Sequence, residues 1–308
     1  MISTSISNED IHRFSHKAMA TVFEIFLYEK NKSYAAQAAT SAFMELDRLE
    51  QELSYFIENS DISRINHLSK NDMITIGEDA FECLKRCSKL YQQTKGAFDI
   101  SMRPLLEFWK KYDESEAGLD ETQLMQVMSE VGVPWLQINE EHFQVRLMNE
   151  SIKIDLGGFG KGYALEIMKQ HLDDWDIESG FIHSGHSTVS LLGKKPDSFK
   201  WPLSISHPNN PDQTLKIVDL THGALSGSGI KKGEHIIDPR SGKPATHHIA
   251  TWVFAQEAGD ADALSTAFMV MDQEEIDNYC MKYSVSALTI DNDEHYSLHY
   301  HGNWRDGS

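Results

Sequence analysis

The arrangement of apolar residues predicts an α+β protein. Residues 34–54 and 78–95 repeat apolar side chains at helical spacing. From about residue 142 onward, short alternating or continuous apolar runs of strand length dominate. Helical stretches near 160–171, 260–271 and 273–283 interrupt those runs without a regular alternation. That argues against a βαβ series. A helix-rich first half and a strand-rich second half are expected to form two lobes of one domain.

Taken in order, TVFEIFLY at 21–28 reads as a strand. Residues 34–54 read as an amphipathic helix with Phe43, Met44, Leu46 and Leu49 on one side. The helix over 78–95 stops at Gly96, and 121–131 is a third, short helix. The expected strands are 142–148, 151–156, 187–192, 202–206, 215–219, 250–255, 285–290 and 295–300. No repeat, low-complexity tract or Pro/Gly/Ser linker divides the chain. Residues 1–18 are therefore read as an N-terminal extension and 19–308 as a single domain.

A net charge of -19, from 28 basic and 47 acidic residues, argues against a general binder of nucleic acid or anionic membranes. It leaves room for a small anion in a local pocket. Cys83, Cys87 and Cys280 are few and odd in number, without zinc-site spacing, and are expected as inert thiols. The start, MISTSISNEDIHRFSHK, has no apolar signal core or lipoprotein anchor, and no transmembrane run follows. A cytoplasmic protein without an integral membrane segment is the expectation.

Chemistry concentrates in a few stretches. IKIDLGGFGKGYALE, residues 152–166, runs from an apolar alternation into Gly157, Gly158 and Gly160, then Lys161 and a helix start. It matches neither a Walker A loop, since Gly162 follows Lys161, nor G-x-G-x-x-G, since Tyr163 stands at the last position. A strand, a glycine turn and a helix start aim backbone N–H groups at an anion, and Lys161 adds a charge. The plainer alternative is a tight turn with a solvated lysine. In GDADALSTAFMVM, Asp262 and Thr266 are four apart and share a helix face. One carboxylate and one hydroxyl suit a hard cation that keeps water and phosphate oxygens, in the manner of magnesium, with ordinary helix capping as the alternative. HIIDPRSG places His235 near Asp238, a base with its orienter or a structural histidine. His183 and His186, three apart, leave a strand for a glycine turn, so their rings need not converge on a metal.

Together these stretches resemble the FAD:protein FMN transferase (ApbE-like) family. The matching segments are MATVFEI at 19, LSYFIENSDISRIN at 53, GAFDISMRPLLEFW at 96, IDLGGFGKGYALE at 154, SGHSTVSLLG at 184, HIIDPRSGKP at 235 and DADALSTAFMVM at 260. They follow the family's order. The resemblance implies T-fold-related mixed sheets with flanking helices and a FAD site between lobes. It implies a Mg²⁺-dependent enzyme that moves FMN from FAD to a Thr or Ser hydroxyl of an acceptor flavoprotein and releases AMP. Two alternatives are a FAD pyrophosphatase giving FMN and AMP, and a non-catalytic FAD-binding protein.

By position, the resemblance implies Asp262, Thr266 and the Gly158 carbonyl as metal ligands. Asp155 and Lys161 line the FAD site, Met19 and Phe56 pack on its rings, and Ala97, Phe98 and Asp99 form a cofactor loop. His235 and Ile236 approach the cofactor. His235, Lys161 and Asp262 are the candidate catalytic residues, with His235 or Asp238 as the base. Three stretches depart from the family pattern. Ser184-Gly185-His186-Ser187 stands where Gly-Gly and Asp or Asn are common. Met19-Ala20-Thr21 replaces Met-Gly-Thr, and Ser228-Gly229 follows Ser226-Gly227 where a Tyr is usual.

Overall fold

The computed structural model describes residues 2–3, 11–113, 119–132, 134, 136–185, 187–193, 200–230 and 236–304. In chain order the elements are β1 (Ile2–Ser3), β2 (Ile11–Ala18), β3 (Thr21–Tyr28), α1 (Lys32–Leu53), α2 (Asp61–Asn66), β4 (Met73–Thr75), α3 (Glu78–Gln93), α4 (Arg103–Asp113) and α5 (Glu121–Met128). They continue with β5 (Leu136–Asn139), β6 (Gln144–Leu147), α6 (Gly160–Asp174), β7 (Ser179–Ser184), β8 (Thr188–Gly193), β9 (Trp201–His207), β10 (Asn210–Leu220) and β11 (Ala224–Gly229). The last are β12 (His248–Ala255), α7 (Ala258–Phe268), α8 (Gln273–Tyr283), β13 (Ser286–Asp291) and β14 (Leu298–His301).

Eight strands make one antiparallel sheet in the order β14-β13-β12-β11-β8-β7-β3-β2. Both faces of its middle are covered, so β8 is buried from Thr188 through Leu192 and reads as a continuous apolar run instead of an alternation. Neighbouring side chains point to opposite faces. Ile182 joins the core under the helices, and Phe181 joins the core shared with Trp201 and Leu203 of β9. A small sheet, β1-β9-β10, supplies that second cover, while α6 and α7 pack on the first face with α1 alongside. A third sheet, β4-β6-β5, stands apart.

Local chemistry sets the helix ends. Asn31 caps α1, its side chain accepting from the N–H groups of Ser33 and Tyr34, and Asp272 with Glu275 forms a reciprocal capping box on α8. The crossing of α6 on α7 depends on Gly162, where an added Cβ would lie 2.2 Å from the carbonyl oxygen of Ala258. Among the described residues no helix is long and apolar enough to cross a membrane.

Three expectations are corrected. The run 151–156 is not a ladder strand. Its buried Ile152, Ile154 and Leu156 do point into the core, but the side-chain amide of Asn66 takes the place of a partner strand. That amide accepts from Ile154 N–H at 2.7 Å and donates to Ile154 carbonyl at 2.8 Å. The two halves of the chain are not two lobes, because β2 and β3 pair into the same sheet as β7 and β8. Residues 11–18, set apart as an extension, form the edge strand of that sheet.

Candidate active site

The glycine turn at 157–160 separates two clefts. The first, about 270 Å³, is lined by Met19, Glu50, Tyr55, Phe56, Asp155 and Lys161, among others. The second, about 240 Å³, is lined by Ala97, Phe98, Asp99, Gly158, Ile236 and Thr266, among others. Asp155 and Gly157 border both.

The turn is held from within. Asp155 Oδ1 accepts from Gly157 N–H at 2.9 Å, and its backbone N–H donates to Ile100 carbonyl at 2.8 Å. Lys161 opens α6 and donates Nζ to Gly157 carbonyl at 2.7 Å, folding its charge back over the turn. Gly158 lies against Phe98 and Thr266, since a Cβ there would sit 3.5 Å from the ring and 3.7 Å from Thr266 Oγ1.

Asp262 is set beneath this turn and is only 6% exposed. Oδ2 accepts from Gly162 N–H at 3.3 Å, and Oδ1 accepts from the hydroxyls of Thr188 at 3.3 Å and Ser226 at 3.2 Å. Burial raises its carboxyl above the ordinary range, opposed first by the charge of Lys161 and then by these donors. Hydroxyls extend the network to Ser265, Ser228 and Thr266. Among the described residues no group of three or more His, Cys, Asp or Glu side chains could hold a metal by itself. The donors around Gly158 and Thr266 are carboxylates, hydroxyls and a carbonyl. That hard, oxygen-only set suits a cation that draws the rest of its ligands from phosphate and water.

The first cleft is apolar and open. Phe56 is 78% exposed and meets Tyr55 edge-on at 5.2 Å. Met19 and Ala20 form the two-residue turn between β2 and β3, with Ala18 paired to Thr21. Both adopt positive φ, 49° and 58°, and Glu50 accepts from Met19 N–H at 2.6 Å. In the second cleft Asp99 closes a turn, accepting from Ser101 N–H at 2.7 Å and Ser101 Oγ at 2.6 Å. Ile236 is carried by a loop that Trp109 anchors through Gly242 carbonyl at 2.7 Å.

Of the residues expected from sequence, Met19, Phe56, Asp155 and Lys161 line the first cleft. Ala97, Phe98, Asp99, Asp155, Gly158, Ile236 and Thr266 line the second. Asp262 lies below them, linked through Gly162 and Thr266. His235 and His186 fall outside the described residues. Both carboxylate oxygens of Asp238 accept from Arg240, which makes Asp238 an anchor for that guanidinium and not a free base. His183 pairs with Glu24 at 3.0 Å, away from the clefts.

Sequence reading missed Arg103, the hydroxyls of Thr188, Ser226 and Ser228, and Glu50. Arg103 donates to Glu107 at 3.0 Å and Asp155 at 3.2 Å. Its guanidinium lies 4.5 Å from the Tyr55 ring centroid and 5.4 Å from that of Phe56. The signal was available inside GAFDISMRPLLEFW as its lone cation, at the start of α4. Nothing local marked Glu50.

Similar proteins agree on the architecture. A FAD:protein FMN transferase of Haemophilus influenzae is 24% identical over 295 residues, covering 90% of this chain and 85% of that protein. The crystal structure of an ApbE protein from Thermotoga maritima superposes with a TM-score of 0.84 at 24% identity, covering 94% of this chain and 97% of that one. The flavin transferase ApbE from Vibrio cholerae also gives 0.84, at 20% identity, with 96% and 99% covered. These likenesses support the mixed helix-and-sheet fold. The model of the ApbE family matches residues 19–289, nearly the whole described chain from the β2–β3 turn to β13, and the chain belongs to that family.

Proposed function

We propose that this protein is a Mg²⁺-dependent FAD:protein FMN transferase acting on an acceptor flavoprotein. The observation that carries the reading is the division of labour around the glycine turn. An apolar, aromatic cleft fit for flat rings lies on one side. On the other, Gly158 and Thr266 border a second cleft above the buried Asp262. A dinucleotide with a diphosphate between two ring systems matches that pattern. The family membership and the names of its relatives point the same way.

In this reading the acceptor hydroxyl oxygen attacks the phosphorus of the FMN half of FAD. A new P–O bond forms, the P–O bond to AMP breaks, and AMP leaves. Lys161 and the N-terminus of α6 hold the phosphates and offset their charge. Asp262, Thr266 and the Gly158 carbonyl would hold Mg²⁺, which when bound neutralises charge growing on the diphosphate. Met19 and Phe56 orient the rings, and Ala97, Phe98, Asp99 and Ile236 border the far cleft. His235 is the proposed acceptor of the hydroxyl proton. Phosphoryl transfer of this kind draws mainly on positioning and charge, which these groups supply.

The test is chromatography of FAD incubated with the protein and Mg²⁺, with and without an acceptor domain carrying a flavinylation-type threonine. AMP together with acceptor-bound FMN is the expected result. AMP with free FMN in both samples would replace the transferase by a pyrophosphatase, and FAD left intact with every one of several acceptor domains would overturn catalysis on FAD.

A further inference from the structure

We propose that Arg103 is a second phosphate-binding cation of the site, working with Lys161 beside the glycine turn. The inference rests on the reading of the clefts as a dinucleotide site and adds a residue to it. Asp155 borders both clefts, so an anion crossing the turn meets a carboxylate. Lys161 is turned onto Gly157 carbonyl at 2.7 Å. The cation that meets Asp155 directly is Arg103, at 3.2 Å.

Three features suit Arg103 to an incoming phosphate. Its Nε goes to Glu107 and one Nη to Asp155, while the other Nη has no protein acceptor among the described residues. Glu107 is half exposed and lies one helical turn away, and such solvated pairs are weak enough for a phosphate to displace. The guanidinium plane is backed by Tyr55 at 4.5 Å, which limits its motion and leaves its edge for planar, bidentate recognition. Arg103 thereby joins the aromatic wall to the anion-binding turn.

The experiment is calorimetric titration of FAD, ADP and riboflavin into wild type, R103Q and R103K at two salt concentrations, with circular dichroism of each variant. R103Q is expected to weaken FAD and ADP roughly tenfold or more, with a shallower salt dependence, and to leave riboflavin unchanged. R103K recovers part of the loss, because it restores charge without the fork. Equal FAD and ADP affinity in R103Q and wild type would overturn the proposal. So would a riboflavin loss as large as the FAD loss, which would reduce Arg103 to a support for the aromatic wall. If R103Q unfolds, unchanged affinities in R103K overturn it as well. A wild type that binds ADP but not FAD would break the flavin reading alone, and the comparison of variants then stands on ADP.

Discussion

The two ends of the site are built in opposite ways. The polar end is buried and assembled from distant segments. Asp262 of α7 meets Gly162 of α6, Thr188 of β8 and Ser226 of β11, and every donor is neutral. The aromatic end is exposed, its ring surface presented by the Met19–Ala20 turn and the Tyr55–Phe56 loop just after α1, against the glycine turn. A charge must be placed before its ligand arrives, because reorganising dipoles at the moment of reaction is costly. A ring surface needs only area, and can close on the ligand as it binds.

Substitutions at the two ends should therefore differ in size and in kind. Asp262→Ala is expected to lower Mg²⁺-dependent AMP release by about a thousandfold, the upper range for removing a preorganised charge. Thermal unfolding without metal should change little, since Thr188 and Ser226 also bond each other at 2.9 Å. Full activity in that variant would break the comparison outright. Lys161→Ala should weaken FAD binding by roughly tenfold, the scale of a charge-assisted contact. Unchanged affinity would leave Lys161 as a solvated brace on Gly157. Phe56→Ala should cost only about threefold to tenfold in FAD affinity and nothing in stability, because the ring is already in water. A loss as large as that at Asp262 would mean the aromatic end is preorganised too.

The same contrast governs how much was legible in the sequence. Helices such as α1 and α3 declare themselves through local periodicity, and the glycine turn and the Asp262/Thr266 spacing declare themselves through composition. What stayed hidden depends on long-range partners. Residues 151–156 look like a strand because their burial alternates, yet Asn66, 88 residues away, holds both backbone groups of Ile154, and Asp155 N–H goes to Ile100 carbonyl. The stretch ALSGSG at β11 has the glycine and serine content of a turn. It is a strand because β8 and β12 flank it and Gly227 fits beneath Trp252, where a Cβ would approach the indole to 2.6 Å. β2 was missed because IHRFSHKA mixes charge with apolar residues at the sheet's edge. The hydroxyls around Asp262 come from separate strands and converge only in the fold.

The smallest expected effect lies at the aromatic end and concerns Ala20. The turn from β2 to β3 has two residues with positive φ, the geometry of a type I′ hairpin turn, which favours glycine at its second position. Ala20 is exposed, so its methyl contributes no packing to offset left-handed strain of about 1 kcal/mol. Ala20→Gly also loosens the unfolded chain, which returns part of that gain. The net expectation is a stabilisation of about 0.5 kcal/mol, read as a higher urea midpoint with an unchanged slope. FAD affinity should fall only slightly, because one methyl of the cleft wall is lost while Met19 keeps its N–H bond to Glu50 at 2.6 Å. A destabilised variant would mean the strain is absent. A tighter FAD complex would mean that this turn is shaped before the ligand arrives, and that the contrast between a preorganised polar end and an adaptable aromatic one holds only on the Phe56 side of the cleft.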